Sequence, residues 1–416
     1  MGRFIGVRPR RKKTVEGEAR PTQVAIIEKG KVKTYDLPND QAELDFVFVK
    51  FPIRYRDVRP EDKMADFLRH QLKWRELEKG EDASTFPPDR VERLGKKKVF
   101  VVIKVPDEFE GPRAGDTIAL PLGGSGDMFA YALARRAAEI KAAVLRTPFY
   151  RLKEARDEGS KDEDATLIAQ LAQTRPEIFY PVRPRDLGII LMRELCRGRI
   201  MAMQARIACE QRLHEVLVGK VFTGTTPEAE IEKRFEAEKA NDQILNNLVA
   251  LEDEAEAKLV QAVEALEVYQ RVFAPIEGVG PLTAARIIAG VVDIRRFKRD
   301  QFVSFCDVCP DDDGKFRRRR RGQAARGNPF VRQGFWLIIA DQANRRPGSV
   351  WGDKLREVKA KQREKHPEVV IVNGKKRFTP GHIQRRAGWP TMVQLARWIY
   401  SQWSALERES ESKEGK

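Results

Sequence analysis

The stretch "PIEGVGPLTAARIIAG", Pro275 to Gly290, sets Gly278 and Gly280 two residues apart, then opens a helix at Pro281 that carries Ala284, Ala285 and Ala289 on one side. This "hxGhG" turn is the helix-hairpin-helix pattern. Its glycines reach backbone conformations closed to other residues and allow close approach to a partner. Backbone N–H groups at the helix start, around Thr283, are free to bind phosphate, helped by the helix dipole. A ligand-free glycine corner between two helices would carry the same residues. The charge downstream of the turn favours nucleic acid. Between Arg295 and Arg332 there are twelve Lys or Arg, including Arg295, Arg296, Lys298, Arg317, Arg318, Arg319, Arg320, Arg321, Arg326 and Arg332, against five Asp. Five consecutive arginines beside a phosphate-binding turn, with Asn328 close behind, predict contact to a DNA backbone.

Other chemistry-bearing residues are less organised. Cys306 and Cys309 form a lone C-x-x-C, and His70, His214, His366 and His382 are scattered, so no metal site is predicted. Asp311 to Asp313 read as a solvated acidic turn beside the arginines, and Ser125 in "GGSGD" as a flexible turn rather than a phosphate loop. Trp336, Trp351, Trp389, Trp398 and Trp403 read first as core aromatics and second as base-stacking surfaces.

The elements that must position these residues are set by the patterning. A chain of 416 residues is long enough for several cores. A net charge of +16 favours a polyanionic partner. The opening "MGRFIGVRPRRKK" has no apolar run suited to a signal peptide, and no segment approaches a membrane span. Four cysteines are too few for a disulfide scaffold. A soluble, cytoplasmic, nucleoid-associated protein is expected, with no membrane partner. Residues 1–185 mix β-branched runs with helices and read as an α/β domain, with a hairpin turn at Lys29-Gly30 and a short strand in "AAVLR" before Pro148. Residues 186–272 read as two long helices broken near Thr226-Pro227. Ile244, Leu248, Leu251, Ala255, Leu259, Val263, Leu266 and Val272 form a seam suited either to a coiled-coil dimer or to intramolecular packing. Residues 273–403 read as a basic, all-α module, and residues 404–416 as a solvated charged tail.

The segment "FAPIEGVGPLTAARIIAGVVDIRRFKRDQFVSFCDVCPDDDGKFRRRRRGQAARGNPFVRQGFWLIIADQA" resembles the C-terminal domain of the Piv-like insertion-sequence transposases, the group that includes bridge-RNA-guided recombinases. Positions Ile276 to Ala285, Asp293 to Phe297, Pro310, Gly314, Gly327-Asn328 and Val331-Arg332 carry the match. "FIGVRP", "IALPLGGSGDMFAYAL" and "GSKDEDATLIAQLAQTRPEIFYPVRP" resemble the family's N-terminal motifs in the same order, with an insertion-like segment around residues 55 to 95. The resemblance implies a RuvC-like, ribonuclease-H-like first domain. In the family, an Asp-Glu-Asp-Asp set there holds divalent metal, Mg²⁺ in an active member, and a serine from the second domain is the nucleophile. It also implies DNA as partner, a guide or structured RNA in some members, and a homo-oligomer.

The carry-over departs from the family at its reacting positions. The first-strand Asp falls on Arg8, the Glu on Pro121, the third carboxylate on Lys161 and the serine on Asp313; only the fourth carboxylate is kept, as Asp164. Asp162 or Glu163 would substitute only with a shifted helix, and Ser304 reads as an ordinary helix residue. One carboxylate of four cannot hold a metal pair, and Arg8 sets a positive charge where a cation would sit. Two readings remain: a DNA-binding descendant without metal-dependent catalysis, needing no cofactor, or an active, divergent transposase with displaced residues. A ribonucleoprotein component is a third.

Overall fold

The computed structural model describes residues 2–10, 19–78, 80–94, 98–122, 126–156, 163–225, 230–309, 327–372 and 375–414. The chain divides into two compact units, Met1–Val182 and Arg183–Lys416.

In the first unit β1 (Phe4–Arg8), β2 (Thr22–Glu28) and β3 (Lys31–Leu37) pair antiparallel. The hairpin turn expected at Lys29-Gly30 is there. Both residues have positive φ, 49° and 78°, the mirror-image turn whose twist matches that of the strands it joins. Helix α1 (Asp40–Val47) starts at Asn39, whose side chain accepts from the Ala42 N–H. Next, β4 (Phe51–Asp57), β5 (Lys73–Glu76), β6 (Val91–Leu94) and β7 (Lys98–Glu110) make a separate antiparallel sheet in which the other three all pair with β7. This sheet contains the segment around residues 55 to 95 and has its own small core of Met64, Leu72, Val102 and Val105.

The chain then returns to the first sheet. Strands β8 (Thr117–Leu122) and β9 (Ala143–Pro148) lie parallel to β1, and β10 (Tyr180–Pro181) closes the edge, giving the order β10-β9-β8-β1-β2-β3. A mixed α/β sheet is thus present, with "AAVLR" in β9 as expected. Helices α2 (Asp127–Ile140), α3 (Phe149–Ala155) and α4 (Asp164–Thr174) accompany it. The apolar runs of β1 and β8 are buried along most of their lengths, as parallel strands covered by helices must be. Helix α4 lies directly on β1. A Cβ at Gly6 would fall 2.0 Å from the Ala165 carbonyl oxygen and 2.5 Å from the Ala169 nitrogen, so only glycine permits the contact.

The second unit is helical. Helix α5 (Pro184–Phe222) is followed by α6 (Ile231–Asn241) and α7 (Gln243–Glu264). The second long helix expected from the sequence is therefore two. Asp242 leaves helical geometry (φ −75°, ψ 111°) and its carboxylate caps the Leu245 N–H at 2.7 Å. Thr226 and Pro227 lie outside the described residues. The expected seam divides: Leu259, Val263, Leu266 and Val272 are buried in the core, whereas Ile244 and Leu251 are exposed. Along the α5–α7 contact Arg199 pairs with Glu252 and Glu256, and Arg206 with Glu252.

A π-helical segment, Tyr269–Phe273, leads into α8 (Pro281–Val291), α9 (Arg299–Phe305) and α10 (Pro329–Trp336), which runs on as a second π segment, Leu337–Ala343. Helix α11 (Val350–Lys365), the short strands β11 (Val370–Val372) and β12 (Lys375–Arg377), and α12 (Pro380–Glu414) complete the unit. One apolar core joins α5, α7, α8, α10 and α12, with Trp403 and Phe273 fully buried edge to face. The acid-rich end read as a solvated tail is instead helical through Glu414. Leu406 and Glu407 are buried there, and Glu409 pairs with Arg271 at 2.6 Å. Long-range cations hold this segment, and composition does not register them.

Arg3, just before β1, is buried between Glu110 (2.7 Å), Asp116 (2.8 Å) and the Gly111 carbonyl (2.7 Å). Burial alone would lower its pKa, but hydrogen bonds to Asp116 and Glu110 raise it, so the guanidinium stays charged. We expect Arg3→Met to destabilise this unit by about 3–5 kcal/mol, because two buried carboxylates lose their counter-charge. Arg175→Met, which removes only an exposed pair with Glu177, should cost under about 1 kcal/mol. Urea melts followed by circular dichroism check both.

Candidate functional site

The glycine turn is built by burial on one side and openness on the other. Ile276 and Val279 are buried anchors, while Gly280 is exposed. Gly278 has φ +83°, the left-handed region that favours glycine, and a Cβ there would fall 2.6 Å from Nη1 of Arg346. Gly280 is the N-cap of α8 with open space around its α-carbon, and Pro281 occupies the first turn. The Gly280 carbonyl accepts from the Thr283 and Ala284 N–H groups, both at 3.1 Å, so the Thr283 N–H expected to be free for phosphate is taken up inside the helix. Ala284, Ala285 and Ala289 are buried as expected for close packing. At Gly290 a Cβ would meet Val331 at 2.2 Å, and at Gly334 it would meet Ile287 at 2.8 Å, so α8 and α10 approach through glycines.

Arg346 carries no signal in the sequence that would single it out. It lies just beyond the second π segment, donates to the Gln342 carbonyl at 3.2 Å and to the Gln342 side chain, and has no carboxylate partner among the described residues. A charge beside an exposed glycine turn suits a phosphate. Its Arg-Arg-Pro-Gly context marks a turn but gives no sign that the chain folds back onto Gly278.

The basic residues proposed from sequence fall into different environments. The Arg295 guanidinium is 7% exposed and surrounded by Asp293 (2.8 Å), Asp186 (3.0 Å) and Glu407 (3.7 Å). Burial opposes its charge, and these three carboxylates more than restore it, so its pKa is raised. Arg295 is thus spent inside the fold. Arg296 lies over the rings of Phe297 and Phe305 at 4.5 and 4.9 Å, and Lys298 is exposed at the start of α9. Asn328 caps α10, its side chain accepting from the Phe330 and Val331 N–H groups. Arg332 pairs with Asp307 at 3.0 Å and lies 4.9 Å from the Trp389 ring. Arg317 to Arg321 and Arg326 lie outside the described residues, as do Lys161, Asp162, Asp311 to Asp313 and Ser125.

The described positions that the resemblance assigns to the reaction lie on β1, β8 and α4 of the first unit. Arg8 ends β1, Pro121 sits in β8 in register with Thr147 of β9, and Asp164 is the first residue of α4, whose first turn covers Gly6. A Cβ at Gly126, the N-cap of α2, would fall 2.6 Å from Pro9, so the start of α2 also abuts the end of β1. This is the carboxyl end of a parallel sheet, where α/β proteins bind their ligands. Here it is occupied by ion pairs. Both Asp164 carboxylate oxygens accept from Arg156, at 2.8 and 2.7 Å, and Asp127 at the start of α2 is paired with Arg146 of β9, all four side chains being buried.

A divalent pair needs several carboxylates free to turn their oxygens inward. Arg8 brings a guanidinium, Pro121 brings no ligand, and Asp164 is held at both oxygens. Among the described residues no group of three or more His, Cys, Asp or Glu is placed to hold a metal ion. At the positions that the resemblance assigns to the metal, the described residues supply one carboxylate, Asp164. Cys306 is fully buried, and burial, then Cys309, push its thiol pKa well up. No helix among the described residues is long and apolar enough to cross a membrane.

No curated protein sequence matches the chain. The model of the Transposase IS116/IS110/IS902 family matches residues 270–351, which span the first π segment, the glycine turn, α8, α9, α10 and the second π segment. The C-terminal region of this chain, with its glycine turn and Arg346 at that turn, therefore belongs to the Transposase IS116/IS110/IS902 family.

Proposed function

We propose that this chain is a DNA-binding protein of transposase descent that recognises the DNA backbone through its C-terminal unit and no longer performs metal-dependent strand chemistry. Its family implies DNA transposition as the ancestral process. The observation that carries the loss of chemistry is the bidentate Arg156–Asp164 pair. Of the family's carboxylate positions the sequence keeps this one, which is ion-paired, and has Arg8 where another is expected.

DNA binding rests on the glycine turn with Arg346, on Arg296 and Lys298, and on the arginine run at 317 to 321, within a chain of net charge +16. Thr283, Arg332, Arg326 and Asn328 belong to the same reading, Asn328 through the helix it caps. A homo-oligomer is proposed through the far ends of α5 and α7. Phe222 at the end of α5 and Ile244 and Leu251 in the first half of α7 expose large apolar side chains there, as does Met201 midway along α5. The RNA partner of some relatives is kept as a second ligand to be assayed beside DNA.

With Mg²⁺ or Mn²⁺ the purified chain should neither cleave nor join DNA bearing its flanking ends; metal-dependent cleavage that Asp164→Ala abolishes would restore the active-enzyme reading. DNA affinity should fall steeply with salt. Arg346→Ala should lower it several-fold and reduce the log–log salt slope by about 1, the effect of losing one phosphate contact. In light scattering, wild type should be oligomeric and the Ile244→Glu/Leu251→Glu variant smaller. A monomeric wild type would remove the proposed interface.

A further inference from the structure

The two-stranded ribbon β11–β12 lies outside the family match, and packing does not account for it. Its register sets Ile371 across from Lys376 and Val370 across from Arg377. Successive residues of a strand face opposite sides, so the Ile371–Lys376 pair lies on one face of the ribbon and the Val370–Arg377 pair on the other. All four are exposed, Ile371 to 70%. An isolated two-stranded ribbon gains little from burial and is marginal in water. This one is held at its base.

Arg363, at the end of α11, donates to the carbonyls of His366, Pro367 and Phe378 at 3.3, 3.5 and 3.2 Å. The Phe378 ring is sandwiched between His366 and His382, at centroid separations of 3.9 and 5.5 Å with planes 4° apart. The Phe378 N–H donates to His382 Nδ1 at 2.9 Å. Burial, then Arg386, Arg377, Arg385 and His366, lower the His382 pKa and favour the neutral ring whose Nδ1 can accept. Phe378 holds φ +56°, a strained conformation for a bulky residue, which persists only where its surroundings impose it. A braced base thus carries an exposed ribbon.

The surroundings are cationic. From Lys354 to Arg386 there are eleven Lys or Arg against three Glu. Lys376 and Arg377 make no ion pair among the described residues, whereas Lys354 and Lys361 share Glu357.

We propose that β11–β12 is a DNA-reading ribbon that enters a groove of duplex DNA. Lys376, Arg377 and the adjoining Arg385 and Arg386 meet phosphates, and Ile371 meets base edges. This rests on the reading of the chain as a DNA-binding protein, and it adds a second contact surface beyond the family-matched segment. A B-form major groove is about 12 Å wide and admits a two-stranded ribbon, whereas the deep, narrow major groove of A-form RNA does not. Duplex DNA is therefore the occupant.

The test is fluorescence anisotropy of the full chain with a random-sequence DNA duplex across a salt series, with an RNA duplex in parallel. Lys376→Ala/Arg377→Ala should weaken DNA binding roughly tenfold or more near physiological salt and lower the log–log slope by about 1.8, the value for two lost phosphate contacts. Ile371→Ser should weaken binding with the slope unchanged. Neither variant removes a buried side chain, so both should keep the wild-type melting curve. If wild type and Arg346→Ala behave as expected while both ribbon variants bind like wild type, the ribbon proposal falls and the DNA-binding reading stands. Loss of RNA binding alone in the ribbon variants overturns the choice of duplex DNA. A wild type that binds no duplex DNA at low salt overturns both.

Discussion

A guanidinium taken out of water must be surrounded by carboxylates, and in the second unit that requirement falls on Arg295. Its partners come from the start of α5 (Asp186), from the turn after α8 (Asp293) and from the last turns of α12 (Glu407). These segments are far apart in sequence, so satisfying one buried charge fixes the long helix, the glycine-turn helix and the C-terminal helix together. Removing any partner would leave charge uncompensated in an apolar setting, which costs far more than an exposed pair contributes. The acid-rich C-terminus is helical for the same reason: its glutamates answer arginines placed elsewhere.

Buried arginines organise the first unit as well. Arg3 ties the entry of β1 to the ends of β7 and β8, while Arg146 and Arg156 occupy the carboxylates at the starts of α2 and α4. The scaffold of a ligand site at the carboxyl end of a parallel sheet is intact, down to the glycine that lets α4 touch β1. There the Asp127 and Asp164 carboxylates close against the guanidinium groups of Arg146 and Arg156.

The basic composition resolves into distinct uses. Some arginines are structural, some lie over aromatic rings, as Arg296 and Arg332 do, and some stand without a carboxylate beside exposed backbone, as Arg346 does at Gly278. A net charge alone predicts a polyanionic partner but not which cations reach it.

Much of the local structure was legible in the sequence because it depends on neighbours in the chain. The positive-φ turn at Lys29-Gly30, the strand in "AAVLR", the left-handed Gly278 and the helix opening at Pro281 all arise from side chains, or their absence, within a few residues. The break at Asp242 was missed because an Asp inside a charged helical run looks like another surface residue until its carboxylate caps Leu245. What only the tertiary structure decided was the environment of each charge: that Asp164 is clasped by Arg156, that Arg295 is buried, and that Arg346 returns to the glycine turn. Side-chain type states what a group can do. Burial and partners, set by contacts between distant segments, decide what it does.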